Sequence, residues 1–110
     1  MSPMLSHLVH NGHMEPRAYG QKECLEAGIQ FARTEGIMPA PEATHAIKGA
    51  VDEALKCKAE GKSKAILFNL CGHGHFDMQA YMDYFSGNLA EDKFDTEAFE
   101  ESMASIPAVN

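Results

Sequence analysis

Apolar positions recur at helical spacing along most of this chain. Small and apolar residues return every three or four positions in four separate stretches, which is typical of amphipathic helices. The predicted helices span residues 4 to 9, 21 to 34, 42 to 60 and 78 to 86. The acidic tail from 88 to 110 is expected to carry one short terminal helix beginning near Thr96.

One stretch departs from this pattern. From Ala65 the chain reads AILFNLCGHGHFD, with apolar residues on consecutive positions before an abrupt change to glycine and histidine. A strand that is covered on both faces has such a run, so residues 65 to 70 are predicted to form a central parallel strand. The expected fold class is α/β, a partial three-layer domain of sheet and helices. Ligands bind beyond the carboxyl ends of such strands, which directs attention to Cys71 to His75.

The net charge, the lengths of the apolar runs and the cysteine count exclude several classes of function. The 16 acidic and 9 basic residues give a net charge of −7, which argues against nucleic acid or an anionic membrane as the main partner. No run of about 18 apolar residues is present to span a bilayer. The three cysteines are an odd number without CxxC spacing, which suits a reducing compartment. A single cytoplasmic domain is therefore expected.

The loop after the predicted strand allows two kinds of non-catalytic binding. Cys71, His73, His75 and Asp77 have the side-chain types that bind zinc, although structural sites usually take their ligands from two separated pairs. Alternatively, backbone N–H groups of the loop, together with the N-terminus of the next helix, could face a phosphate or carboxylate. A metal- or anion-binding module that uses this loop is thus one hypothesis.

A second candidate position precedes the long helix. Glu35 ends one predicted helix, where the partial negative charge of the helix C-terminus disfavours a carboxylate. Gly36, Pro39 and Pro41 then exclude regular structure from the following loop. Glu35 is either a solvated loop acid or an acid kept there for function.

Three stretches together resemble one family. The segments AGIQFARTEG, EGIMPAPEATHAI from Glu35 to Ile47, and FNLCGHGHFD from Phe68 to Asp77 are similar to the C-terminal part of tryptophan synthase beta chains, in particular their divergent second class. The resemblance implies a pyridoxal-phosphate-dependent lyase of fold type II that condenses L-serine with indole to give L-tryptophan. It also implies a homodimer for the full-length form.

The same resemblance assigns roles to individual residues. Glu35 would be the catalytic acid beside the cofactor ring, where it favours productive protonation of reaction intermediates. Cys71 would face the pyridine nitrogen, at a position where the family usually has serine; both side chains are neutral, although a thiol is the weaker donor. Gly72 and Gly74 would let the backbone pass the cofactor ring. No metal ligand is implied.

The resemblance also identifies what this chain lacks. In the family, the lysine that forms the Schiff base and the glycine-rich phosphate loop both lie in the N-terminal portion. This sequence contains no Gly-Gly pair, and none of its lysines occupies the family's catalytic position. Residues 1 to 110 are therefore expected to be one C-terminal segment that requires the N-terminal portion as a partner and is inactive alone.

Overall fold

The protein is mostly helical. The computed structural model describes residues 2 to 89 and 96 to 104. Its helices are α1 (Pro3–His10), α2 (Gln21–Glu35), α3 (Pro41–Ala59), α4 (Met78–Ser86) and α5 (Thr96–Ala104). The helices predicted from apolar spacing are confirmed to within a few residues at each end. Within the described ranges, no helix has the length and apolar character needed to cross a membrane.

Local sequence signals explain where the two longest helices begin. The Gly20 N–H at the start of α2 donates to the Glu23 carboxylate at 2.7 Å, which satisfies one backbone group that the first turn leaves unpaired. Helix α3 begins at Pro41, where the missing N–H costs no intrahelical hydrogen bond. Helix α2 ends before Gly36, which has a left-handed backbone conformation, so the loop between α2 and Pro41 is short.

The core lies between α2 and α3. Leu25 of α2 is 1% exposed and Ile47 of α3 is 3% exposed. The two helices approach closely at Gly28, because a Cβ atom there would lie only 2.5 Å from Thr44 Cγ2 and 3.2 Å from the Tyr81 hydroxyl. Gly28 thus brings α2 into contact with both α3 and α4, and any side chain at this position would overpack the core.

Parts of two predicted apolar faces are not buried. In α3 the predicted buried stripe includes Ile47, which is buried, but also Leu55, which is 58% exposed. In α4 only Tyr81 is buried, whereas Met82 and Phe85, which the spacing also places inward, are 61% and 64% exposed. Helix α4 contacts α2 over a small area, and too little of the described chain surrounds it to cover a full apolar face.

The predicted strand at residues 65 to 70 is not formed. This segment carries no regular structure, and the β pairing in the described part of the chain is one isolated antiparallel bridge, between Pro39 and His73. Leu67 is 96% exposed, while Phe68 is half-buried against the Phe31 ring at a centroid distance of 5.9 Å. A parallel strand is stabilised by hydrogen bonds to neighbouring strands, and residues 2 to 89 and 96 to 104 provide none. The α/β expectation is therefore not confirmed for this chain.

Candidate functional site

The two sequence-predicted loops meet in the structure. The Ala40 N–H donates to the Gly72 carbonyl at 3.0 Å, and the Gly74 N–H donates to the Met38 carbonyl at 2.8 Å. These bonds flank the bridge between Pro39 and His73. We refer to residues 38 to 40 and 72 to 74 as the loop junction. It places the loop that follows Glu35 against the turn that follows Cys71.

The glycines of the turn make this close approach feasible. A Cβ atom on Gly74 would collide with the Pro39 carbonyl oxygen and would lie 3.1 Å from Met38 Cγ. A Cβ atom on Gly72 would lie 3.2 Å from Ala40 Cβ. The family resemblance assigns both glycines to the passage of a cofactor ring, but their observed neighbours belong to the opposite loop. Loop packing alone therefore accounts for small residues at these positions.

Tyr81 of α4 contacts the loop junction through its hydroxyl group. Its hydroxyl donates to the Pro39 carbonyl at 2.6 Å, and the side chain is only 2% exposed. Burial raises the pKa of Tyr81, and the nearby charge of Asp77 raises it further, so the hydroxyl stays protonated and able to donate. Sequence reasoning placed Tyr81 inward but gave it no polar role. The available signal was its residue type, because an inward tyrosine requires a partner for its hydroxyl.

Glu35 and Cys71 lie on the solvent side of the two loops. Glu35 is the last residue of α2 and is exposed, three positions before the junction begins. Cys71 is an exposed free thiol, one position before Gly72. Both groups are thus accessible to a ligand. Cysteine and glutamate side chains are both able to contact a pyridoxal ring and its substituents.

Two backbone N–H groups of the turn are already used within the protein. Of the backbone N–H groups that the anion hypothesis requires, that of Gly74 already bonds the Met38 carbonyl, and that of His75 bonds His73 Nδ1 at 3.3 Å. An anion cradle in this turn would therefore have to use the other N–H groups of the turn and those at the N-terminus of α4. The anion-binding hypothesis therefore gains no support from these two N–H groups.

The loop histidines pack on each other. The rings of His73 and His75 have centroids 4.7 Å apart, and the Phe76 ring lies 5.5 Å from His73. Across residues 2 to 89 and 96 to 104, no group of three or more His, Cys, Asp or Glu side chains is arranged to hold a metal ion. The metal-binding hypothesis for Cys71, His73, His75 and Asp77 therefore gains no support from geometry.

A separate cleft lies between α2 and α4. Its volume is about 440 Å³, and its lining includes Arg33, Tyr84 and Phe85. Neither Glu35 nor Cys71 lines it. The two candidate residues are thus brought to adjacent loops but do not share this cleft.

Comparison with curated proteins relates the chain to one class of synthase. No family model matches it. Over 88 residues it is 61% identical to tryptophan synthase beta chain 2 of Methanosarcina mazei, which covers 80% of this chain and 20% of the relative. It is 54% identical over 90 residues to the beta chain 2 of Aquifex aeolicus, covering 82% of this chain and 21% of the relative.

A third relative extends the match almost to the full chain. The tryptophan synthase beta chain of Pyrococcus horikoshii is 43% identical over 107 residues, or 97% of this chain and 23% of the relative. The chain thus spans about a fifth of the length of the curated relatives it matches. The resemblance to tryptophan synthase beta chains is confirmed: this chain is a relative of one segment of those proteins.

Proposed function

We propose that this chain forms the ring-binding side of a pyridoxal-phosphate pocket in an enzyme that condenses L-serine with indole to give L-tryptophan. The observation that carries the proposal is the 61% identity to a tryptophan synthase beta chain 2 across both loops of the candidate site. The loop junction supports it, because the segments with the Glu35 and Cys71 motifs are held together by backbone hydrogen bonds.

Each candidate residue has a defined task in this proposal. Pyridoxal phosphate, when bound, supplies the electron sink that labilises bonds at the α-carbon of serine. Cys71 would hold the pyridine-nitrogen side of the ring, where a thiol, unlike a carboxylate, would not favour protonation of that nitrogen. The Glu35 carboxylate accepts and returns a proton beside the ring. Gly72 and Gly74, which pack closely against the opposite loop, would in addition let the backbone pass the ring.

The remainder of the pocket comes from another part of the protein. Residues 1 to 110 act as one C-terminal segment, and the N-terminal portion supplies the Schiff-base lysine and the phosphate loop. In the assembled enzyme, residues 65 to 70 pair with neighbouring strands and complete an α/β sheet of the type II fold. The exposed, consecutive apolar residues Ile66 and Leu67 support this, because a strand covered on both faces has such a run. A cytoplasmic homodimer is part of the same proposal.

Reassembly from two pieces tests the proposal. The chain is produced together with the remaining four fifths of the Methanosarcina mazei relative, and tryptophan formation from L-serine and indole is measured. We expect activity only when both pieces are present. Glu35→Gln should lower kcat by roughly 10² to 10⁴, the usual contribution of a positioned acid or base. Glu60→Gln is the matched control, because Glu60 is a carboxylate at the far end of α3, paired with Lys62.

Two substitutions of Cys71 test whether the cofactor requires an uncharged group at this position or only a side chain that fills the space. Cys71→Ser should retain activity, because a hydroxyl is also a neutral donor. Cys71→Asp should reduce it, because a carboxylate favours protonation of the pyridine nitrogen. Equal activity of the serine and aspartate variants would contradict the role proposed for position 71, and full activity of Glu35→Gln would contradict that proposed for Glu35.

A further inference from the structure

The Tyr81 hydroxyl and the Pro39 carbonyl form a buried contact that the two backbone bonds of the junction do not explain. Pro39 is less than 2% exposed, and it has no N–H to donate. The flanking hydrogen bonds use Ala40 and Met38, so they leave the Pro39 carbonyl outside the bridge. A buried carbonyl requires a donor, and the Tyr81 hydroxyl provides one at 2.6 Å.

The hydroxyl lies where three elements meet. Tyr81 belongs to α4, which continues directly from the turn that contains Cys71 and Gly74. Pro39 belongs to the loop that follows Glu35, and Gly28 of α2 leaves the space that the hydroxyl occupies. The one hydrogen bond therefore ties the helix behind the turn to the loop in front of it.

We propose that Tyr81 is a positioning residue whose hydrogen bond to Pro39 sets the spacing between the Glu35 loop and the Cys71 turn. Its purpose rests on the proposed function, because the spacing matters only if Glu35 and Cys71 serve the same ligand. The bond itself does not depend on that function. A phenylalanine would fill the same space but would leave the Pro39 carbonyl without its donor, and the junction would open more often.

Amide hydrogen exchange of the 110-residue chain tests the bond directly. In Tyr81→Phe, the Ala40 and Gly74 amides should exchange about tenfold faster or more, because both bond across the junction. Amides in the middle of α2 should keep their wild-type rates. The carbonyl carbon resonance of Pro39 should also shift. Tyr84→Phe is the matched control, because it removes a hydroxyl from the same helix at a half-buried position that lines the cleft between α2 and α4.

Two exchange results would overturn the proposal. Unchanged rates at Ala40 and Gly74 would show that Tyr81 acts by packing alone. Equal acceleration throughout α2 and α3, or loss of helicity, would show that the hydroxyl supports the whole fold rather than the junction.

The two-piece enzyme tests the positioning role. Tyr81→Phe should lower kcat by about tenfold, with KM for serine within about twofold, because a displaced acid affects the chemical step more than binding. A normal kcat in a variant with fast junction exchange would overturn the positioning role. If the two pieces give no activity with any variant, the proposed function fails. The exchange experiment then still decides whether Tyr81 holds the junction, since it requires no cofactor.

Discussion

The helix pair α2–α3 and the segment from 65 to 70 both carry apolar side chains, yet these side chains have opposite surroundings. Leu25 in α2 is 1% exposed, whereas Leu67 in the segment is 96% exposed. Helix α2 finds α3 within the same chain, with a glycine at the point of closest approach. Residues 65 to 70 find no strand beside them in the described residues. Burial is therefore decided by the partner available and not by the hydrophobicity of the run.

The loop junction belongs to the first of these two regions. It is attached to the helix pair through the ends of α2 and α3 and through Tyr81, so it can form without the neighbours that residues 65 to 70 lack. The side of the pocket that this chain is proposed to supply is thus held together by contacts within the chain. The sheet proposed for residues 65 to 70 would depend on contacts with another part of the protein.

Truncation of the two leucines gives the largest expected contrast. Leu25→Ala should lower the free energy of unfolding by about 2 to 5 kcal/mol, because it removes a buried side chain and leaves a cavity. Leu67→Ala should change it by less than about 0.5 kcal/mol in the isolated chain. Chemical denaturation followed by circular dichroism measures both values. Similar losses in the two variants would mean that residues 65 to 70 are covered in solution.

Adding a methyl group at glycines gives the next largest effect. Gly28→Ala should destabilise the chain by roughly 1 to 3 kcal/mol, because the new Cβ meets Thr44 and Tyr81. Gly49→Ala is the matched control within α3, since its Cβ would lie 3.8 Å from the Tyr19 ring, an ordinary contact. It should stabilise the helix by about 0.5 to 1 kcal/mol. A stable Gly28→Ala variant would contradict the close approach of α2 to its neighbours.

The smallest expected effect is electrostatic. Lys48 donates to Asp52 at 2.6 Å on α3, and this hydrogen bond lowers the pKa of Asp52 below its usual value. The contribution of the pair to stability is therefore present above about pH 4, the ordinary aspartate pKa, and is lost as the pH falls through the folded-state pKa. Asp52→Asn should flatten the acid side of the stability profile slightly, and Lys48→Gln should do the same. An unchanged profile in both variants would show that the pair does not affect stability in solution.

The helices and both loops could be predicted from the sequence, but their contacts could not. Pro41 and the spacing around Leu25 are local signals, so α2 and α3 appear where expected. The strand prediction at Leu67 failed because a strand depends on neighbours that a local pattern cannot supply. For Gly74 the family resemblance predicted a passage for the cofactor ring, whereas its nearest neighbour is the Pro39 carbonyl of a loop distant in sequence. The hydrogen bond from Tyr81 likewise joins residues 42 positions apart.

In the proposed function, this chain supplies only the ring-binding side of the cofactor pocket. The most direct test adds pyridoxal phosphate to the isolated 110-residue chain, reduces with borohydride, maps the labelled peptides and assays tryptophan formation from L-serine and indole. We expect no lysine to be labelled stoichiometrically and no tryptophan to form, because the proposal assigns the Schiff-base lysine and the phosphate loop to the N-terminal portion. A single lysine labelled stoichiometrically, together with turnover of serine and indole, would contradict the account and show that the chain is an enzyme by itself.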